Sequence, residues 1–204
     1  MPSVGPTRVF VDANVLYSRT LRDWLALLAV ESPTPPYRVF WSEDVMAETI
    51  HHLRQRHPEW EGRKVAIVRE HIAGCFEDGR VDDFVVDGSY TGRDQGDAHV
   101  HAAATQCAAS YLLTCNVTDF PTDDTTCYDV VSPDDFFVLV DNVAPAIVRA
   151  VTDKQSRYWS VHRPEALLAQ HLEAASCPEF AERVRRHQAA IGGIPYLSSR
   201  KGRE

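Results

Sequence analysis

The chain has 204 residues, 44% hydrophobic and 25% charged, with a formal net charge of −8 at neutral pH. These proportions suit a globular chain with a real core and exclude a collagen, a coiled coil and global disorder. No run approaches the ~18 uninterrupted apolar residues of a membrane span, and the first eight residues carry no charged-then-apolar leader, so a cytoplasmic protein with no membrane contact is expected.

Arg8-Val-Phe-Val-Asp12 reads as a buried strand that ends on an acid. An amphipathic stretch follows, with Tyr17, Leu21, Trp24, Leu25 and Leu28 on one helical face, and Ser32-Pro-Thr-Pro-Pro36 breaks it. Tyr37-Arg-Val-Phe-Trp41 predicts a second strand. Ser42 then caps a helix that carries Glu43 and Asp44 in its first turn. Residues 63–76 read as a helix, and Phe84-Val-Val86 as a short strand inside a polar, glycine-rich segment. Asp97 opens a helix whose apolar stripe is Val100, Ala104, Cys107, Ala108 and Tyr111. Tyr111-Leu-Leu-Thr-Cys115 and Tyr128-Asp-Val-Val131 predict the last two of five strands, and from about residue 137 the pattern is helical only. Strands alternating with helices predict an α/β fold with a parallel sheet covered on both faces. The last seven residues read as a frayed basic tail.

Five widely spaced cysteines with no C-x-x-C pair exclude a disulfide framework or a structural zinc site. Cys107 and Cys115 read as small buried hydrophobes. The charge is uneven: residues 1–136 carry a net −11 and residues 137–204 a net +3. Such a balance excludes a basic nucleic-acid coat but not a nucleic-acid enzyme.

Functional groups in a parallel α/β sheet gather beyond the carboxyl ends of its strands. The acids expected there are Asp12 after the first strand, Glu48 on the helix after the second, Asp94 and Asp97 at the start of a later helix, and Asp119 after the Leu112–Cys115 strand. Asp97 shares a stripe with Val100 and Ala104 and so points inward, whereas Asp94 reads as its cap or as a supporting acid. Glu48 projects more than about 90° from the apolar face of its helix, so position alone does not separate a site role from a solvated one. Clustered Asp78, Asp82, Asp83, Asp123, Asp124, Asp134 and Asp135 read as loop solvation. Carboxylates gathered at one edge repel unless a cation neutralises them, and oxygen-only ligands favour Mg²⁺ or Mn²⁺ over zinc.

His99 and His101 lie about 200° apart on a helix and cannot share an ion. Glu48-Thr-Ile-His51 occurs once, whereas a di-iron bundle needs two copies. Phosphate-binding loop, dinucleotide-fold, zinc-protease and serine-hydrolase motifs are all absent from the sequence.

Val9-Phe-Val-Asp-Ala-Asn-Val-Leu16 resembles the opening strand of PIN-domain nucleases. Glu48 falls at the family's second acid, and Asp94-Gln-Gly-Asp-Ala-His-Val-His-Ala-Ala-Ala104 resembles its third-acid helix. Leu113-Thr-Cys-Asn-Val-Thr-Asp-Phe-Pro121 resembles the closing motif of one bacterial subgroup, and the likeness runs over residues 7–137. Asn116 stands where many members carry an acid, which leaves Asp119 as the fourth, and His101 stands at a commonly apolar place.

The resemblance implies a three-layer α/β/α fold with a central parallel sheet, a nuclease domain over 1–138 and a helical C-terminal extension over 139–204. It implies a Mg²⁺- or Mn²⁺-dependent endoribonuclease, the VapC-type toxin of a type II toxin–antitoxin module, acting on structured RNA and leaving a 5′-phosphate and a 3′-hydroxyl. Asp12, Glu48, Asp97 and Asp119 would be its catalytic metal ligands, supported by Asp94, Thr114 and Asn116. Cations for RNA are sought in Arg93, Arg183, Arg185 and Arg186, with Arg200 and Lys201 in the tail. The partners implied are RNA, a cognate antitoxin laid between the Tyr17–Val30 and Glu43–Leu53 helices, and a second copy of the chain. Two other readings compete: a stand-alone RNA-processing PIN nuclease, and a PIN module that binds without cutting. A haloacid-dehalogenase phosphatase is further off, because Asp12-Ala-Asn14 lacks the second Asp of that motif.

Overall fold

The computed structural model describes residues 6–123, 126–162 and 167–192. It is an α/β fold whose four-stranded, all-parallel sheet is flanked by helices. The strands are β1 (Thr7–Val11), β2 (Tyr37–Phe40), β3 (Tyr111–Leu113) and β4 (Asp129–Val131), in the order β2-β1-β3-β4. Val9 stands opposite Val39 on one side and Tyr111 on the other, which makes β1 a central strand. Val9, Phe10 and Val11 are all fully buried. Alternate side chains of a strand face opposite sides, so both faces of the sheet are covered at this strand.

The amphipathic stretch after Asp12 is two helices rather than one: α1 (Ala13–Leu16) and α2 (Arg19–Val30). The chain leaves helical geometry at Ser18 (φ −73°, ψ 110°), and the apolar spacing carries across the break because both segments bury residues in the same core. Ser42 caps α3 (Glu43–Arg56) by accepting from Val45 N at 3.3 Å. Next is α4 (Gly62–Cys75). After it Trp41 and Arg80 form a single parallel bridge, and a Cβ on Gly79 would lie 1.8 Å from the Val39 carbonyl oxygen, so this close approach needs glycine.

The strand expected at Phe84–Val86 is not formed. That segment has no sheet partner, and Val85 and Val86 are exposed. Pairing beside β2 stops after Arg80, so three apolar residues between acidic neighbours have nothing to pair with. A 3₁₀ turn (Gln95–Asp97) leads into α5 (Ala98–Gln106). Cys107 is buried as expected, but Cys115 is exposed, because β3 ends two residues earlier and the chain turns out of the sheet.

The C-terminal helices are α6 (Pro133–Val143), α7 (Pro145–His162), α8 (Leu168–Ala174) and α9 (Pro178–Gly192). Residue 138 lies inside α6, and a continuous core of buried residues runs from Val9 to Val184. Phe180 is fully buried, edge-on to Trp24 at 5.0 Å and against Phe137 at 5.0 Å. Asp134, expected to be loop solvation, caps α9 instead: its carboxylate accepts from Glu179 N at 3.1 Å and Phe180 N at 2.8 Å. The tail residues Arg200 and Lys201 lie outside the described residues.

Phe180→Ala is expected to cost about 3–5 kcal/mol, as deleting a buried ring does, and to move the denaturant melt as one step. A separate early transition of the C-terminal helices would contradict the shared core.

Candidate active site

Asp12 follows the central strand directly, and its backbone N–H donates to the Leu113 carbonyl at 3.0 Å, continuing the sheet by one residue. Its side chain is 5% exposed. One carboxylate oxygen accepts from Ala13 N at 2.6 Å, and the other accepts from the Thr114 hydroxyl at 2.7 Å and the Asn14 amide at 2.6 Å. Burial pushes the Asp12 carboxyl up; the Thr114 and Ala13 donors pull it back, and the nearby Glu48 charge adds to the rise. Thr114 is fully buried and saturated, since its oxygen also accepts from the Asn14 amide at 2.9 Å and from Asn116 N at 3.0 Å. Asn14 completes the clasp by accepting from Cys115 N at 2.9 Å. Thr114 was expected as a support. Asn14 was quoted only as part of the opening motif, and its place two residues after Asp12 is the signal that it contributes. The Asn116 side chain is exposed, and its part in this clasp is through the backbone.

Glu48 is half-buried on α3 and accepts from His99 Nε2 at 3.2 Å. The other ring nitrogen of His99 is buried with no hydrogen-bond partner among the described residues. Burial opposes a charge on this imidazole, but the Glu48 hydrogen bond and the charges of Glu48, Asp44 and Asp12 outweigh it and raise its pKa.

Asp94 is exposed and caps the turn before α5, accepting from Gly96 N at 2.9 Å. Asp97 is half-buried at the first residue before α5, with no capping bond of its own. Its carboxyl is pushed up to about 6, first by burial and then by the charges of Asp12, Asp94, Asp119 and Glu48. Asp97 therefore stands within the field of all four of the other acids expected at this edge, which come from a span of more than a hundred residues of chain. Asp119 ends a 3₁₀ turn (Val117–Asp119) after β3, and its carbonyl accepts from the Tyr90 hydroxyl at 2.7 Å. Burial and the charges of Asp97, Asp119 and Asp94 push that phenol up to about 12, so it remains a donor at neutral pH.

Among the described residues no three His, Cys, Asp or Glu side chains are already closed around one point as a metal cage. The donor chemistry nevertheless fits a hard divalent cation: the converging groups are carboxylate oxygens, and their mutual repulsion is what a cation would offset.

The arginines on α9 sit against other acids. Arg183 bonds Asp141 at 3.1 Å and Asn142 at 2.6 Å, Arg185 pairs with Glu173 and Glu182, and Arg186 meets Glu182 at 3.2 Å. Arg93, beside Asp94, is exposed and has no hydrogen-bond or ion-pair partner among the described residues. A groove of about 570 Å³ borders α2, but it opens towards α4 and α7, with Ala26, Leu27, Val30, Cys75 and Tyr158 in its wall, rather than towards α3. No helix among the described residues is long and apolar enough to cross a membrane. The chain matches no known protein-family model, and no curated protein gives a significant match.

The raised Asp97 carboxyl has a thermodynamic consequence. Its ordinary pKa is 3.8 and its folded value about 6, so the folded protein holds that proton more tightly than the unfolded chain. This contribution to stability is present below 3.8, falls as the pH rises through that window, and is lost above about 6. Asp97→Asn in metal-free protein is expected to raise stability at pH 7.5 by at most about 1 kcal/mol after solvent screening, and to flatten the pH dependence of the melt between these values. Equal melting curves of the two proteins across that range would contradict the crowding.

Proposed function

We propose that this chain is a divalent-metal-dependent endoribonuclease with a PIN-type active site, acting as the toxin of a type II toxin–antitoxin module. The observation that carries the reading is Asp12, buried at the carboxyl end of a central parallel strand with both carboxylate oxygens held by Ala13 N, Thr114 and Asn14. The rise of the Asp97 carboxyl under burial and the charges of Asp12, Asp94, Asp119 and Glu48 supports it. The parallel order β2-β1-β3-β4 and the four ordered motifs of the sequence support the same reading.

Asp12, Glu48, Asp97 and Asp119 would hold Mg²⁺ or Mn²⁺. When bound, such an ion supplies a water of lowered pKa and neutralises charge on the scissile phosphate. The chain's own residues prepare the site: Thr114 and Asn14 hold one oxygen of Asp12, and Ala13 N holds the other. His99 steadies Glu48 through its Nε2. Asp94 fixes the turn that delivers Asp97. Arg93 is exposed beside Asp94 and free to meet a phosphate, whereas Arg183, Arg185 and Arg186 are engaged with acids of the C-terminal helices. An antitoxin and a second copy of the chain remain the partners proposed. A small gene for a DNA-binding protein immediately upstream distinguishes the toxin from a stand-alone nuclease of RNA processing.

Wild-type protein is expected to cut total RNA with Mg²⁺ or Mn²⁺ and leave 5′-phosphate ends, and Asp12→Ala to lose at least about a hundredfold in rate. Equal cutting by both proteins, or none by either, removes the nuclease reading; binding without cutting by both supports a non-catalytic module. Arg93→Ala is expected to weaken RNA binding and to reduce the slope of log affinity against log salt by about 1, the share of one phosphate contact. An unchanged slope takes Arg93 out of the RNA path.

A further inference from the structure

We propose that Tyr90 is a positioning residue of this site, and that residues 89–92 form a strap tying the Asp119 turn to the start of α5. This rests on the reading of the five acids as a metal site. No sequence motif marks Tyr90; its role comes from what it touches. Its side chain is 7% exposed, and its hydroxyl donates to the backbone carbonyl of Asp119 at 2.7 Å. The tether is thus on the residue whose carboxylate is needed, and movement of that carbonyl moves the side chain with it.

The strap is held from three directions. The Tyr90 ring packs against Phe120 at 5.9 Å and against His101 at 5.7 Å. His101 stands on α5, where its Nδ1 meets the Tyr128 hydroxyl at 2.6 Å, next to β4, and its Nε2 meets the Ser89 hydroxyl at 3.1 Å. This accounts for a polar side chain at a place where an apolar one was expected. Gly92 then passes directly over the phenol: a Cβ there would lie 2.1 Å from the Tyr90 hydroxyl and 2.6 Å from the Asp119 carbonyl oxygen. Only a residue without a side chain can cover that hydrogen bond. Two residues further on, the same strand of chain delivers Asp94 and then Asp97. One half-buried hydroxyl therefore ties the Asp119 turn to the segment of chain that leads into Asp94 and Asp97.

Tyr90→Phe removes this hydroxyl and keeps the ring packing, so the full-length chain still folds. In metal-free protein, amide exchange at residues 117–120 is expected to quicken about tenfold. Mn²⁺ titrated alone is expected to bind about tenfold more weakly, the range found when a group supporting a metal ligand is removed. In RNA cleavage kcat falls about tenfold and KM stays within about twofold, because the tether touches no RNA. Gly92→Ala, which displaces the phenol, shifts all three in the same direction. Unchanged exchange at 117–120 overturns the tether itself. Faster exchange with unchanged Mn²⁺ affinity, while Asp12→Ala loses the metal, overturns the positioning role and leaves the nuclease reading standing. If Asp12→Ala binds Mn²⁺ like wild type, the carboxylate site falls and the tether positions no ligand.

Discussion

A carboxylate buried at the end of the central strand is the constraint around which the rest of the structure is arranged. Asp12 follows three fully buried residues and is itself 5% exposed, so water does not solvate it as it would a surface acid. Burying an ion costs several kcal/mol, and a hydrogen bond to a charged group returns about 1.5–3 kcal/mol. Ala13 N, the Thr114 hydroxyl and the Asn14 amide return part of that cost, and burial still holds the carboxyl above its ordinary pKa. One of these donors belongs to β3's continuation, reached through the pairing of Val11 with Leu113. A slip of one residue in that register would turn Thr114 to the other face and leave the carboxylate short of a donor. Sheet register and site chemistry are thus one requirement.

That arrangement forces the other acids to be held against their repulsion. All but Glu48 are fixed through the backbone or immediate neighbours rather than by a cationic partner. Asp94 caps a turn, Asp97 rides on the start of α5, and Asp119 is gripped at its carbonyl. Glu48 alone has an imidazole against its carboxylate. The helix that carries Asp97 packs with small residues: Ala98, Ala102, Ala103 and Ala104 are all buried. The crowding of like charges is a source of electrostatic strain at this edge, and it costs stability in the absence of a cation.

Much of this frame was legible because it is local. A run of buried β-branched residues, a serine before two acids, and an apolar stripe each follow from a few neighbouring residues, and β1, β2, β3, β4 and the Ser42 cap stand where that pattern puts them. What escaped depends on partners distant in sequence. Phe84–Val86 has the composition of a strand but no neighbour to pair with. Asp134 looks like any loop acid until α9, more than forty residues later, presents its N-terminus. Ala108 adopts φ 48° after α5, where a glycine would have announced the left-handed turn and alanine does not. At the site, the acids were visible after strands and on the helices that follow them, and Asn14 was signalled only by its place two residues after Asp12. Tyr90 and the Glu48 contact of His99 act through contacts that no spacing reveals.

The division of charge acquires a different meaning once the contacts are known. A net +3 over residues 137–204 suggests a basic face for RNA. Yet Arg183 and Arg185 are turned to Asp141 of α6 and Glu173 of α8, and Arg186 to Glu182 within α9, so the charge of α9 is spent on acids of the C-terminal helices. Surface pairs of this kind add little stability singly, but they quench the field that would steer a polyanion. The acidic edge is therefore not balanced by those arginines. Burial and the repulsion of the other four acids hold the Asp97 carboxyl up at about 6. A site built this way gains most from a ligand that brings positive charge with it, and a divalent cation meets that demand with carboxylate oxygens as ligands.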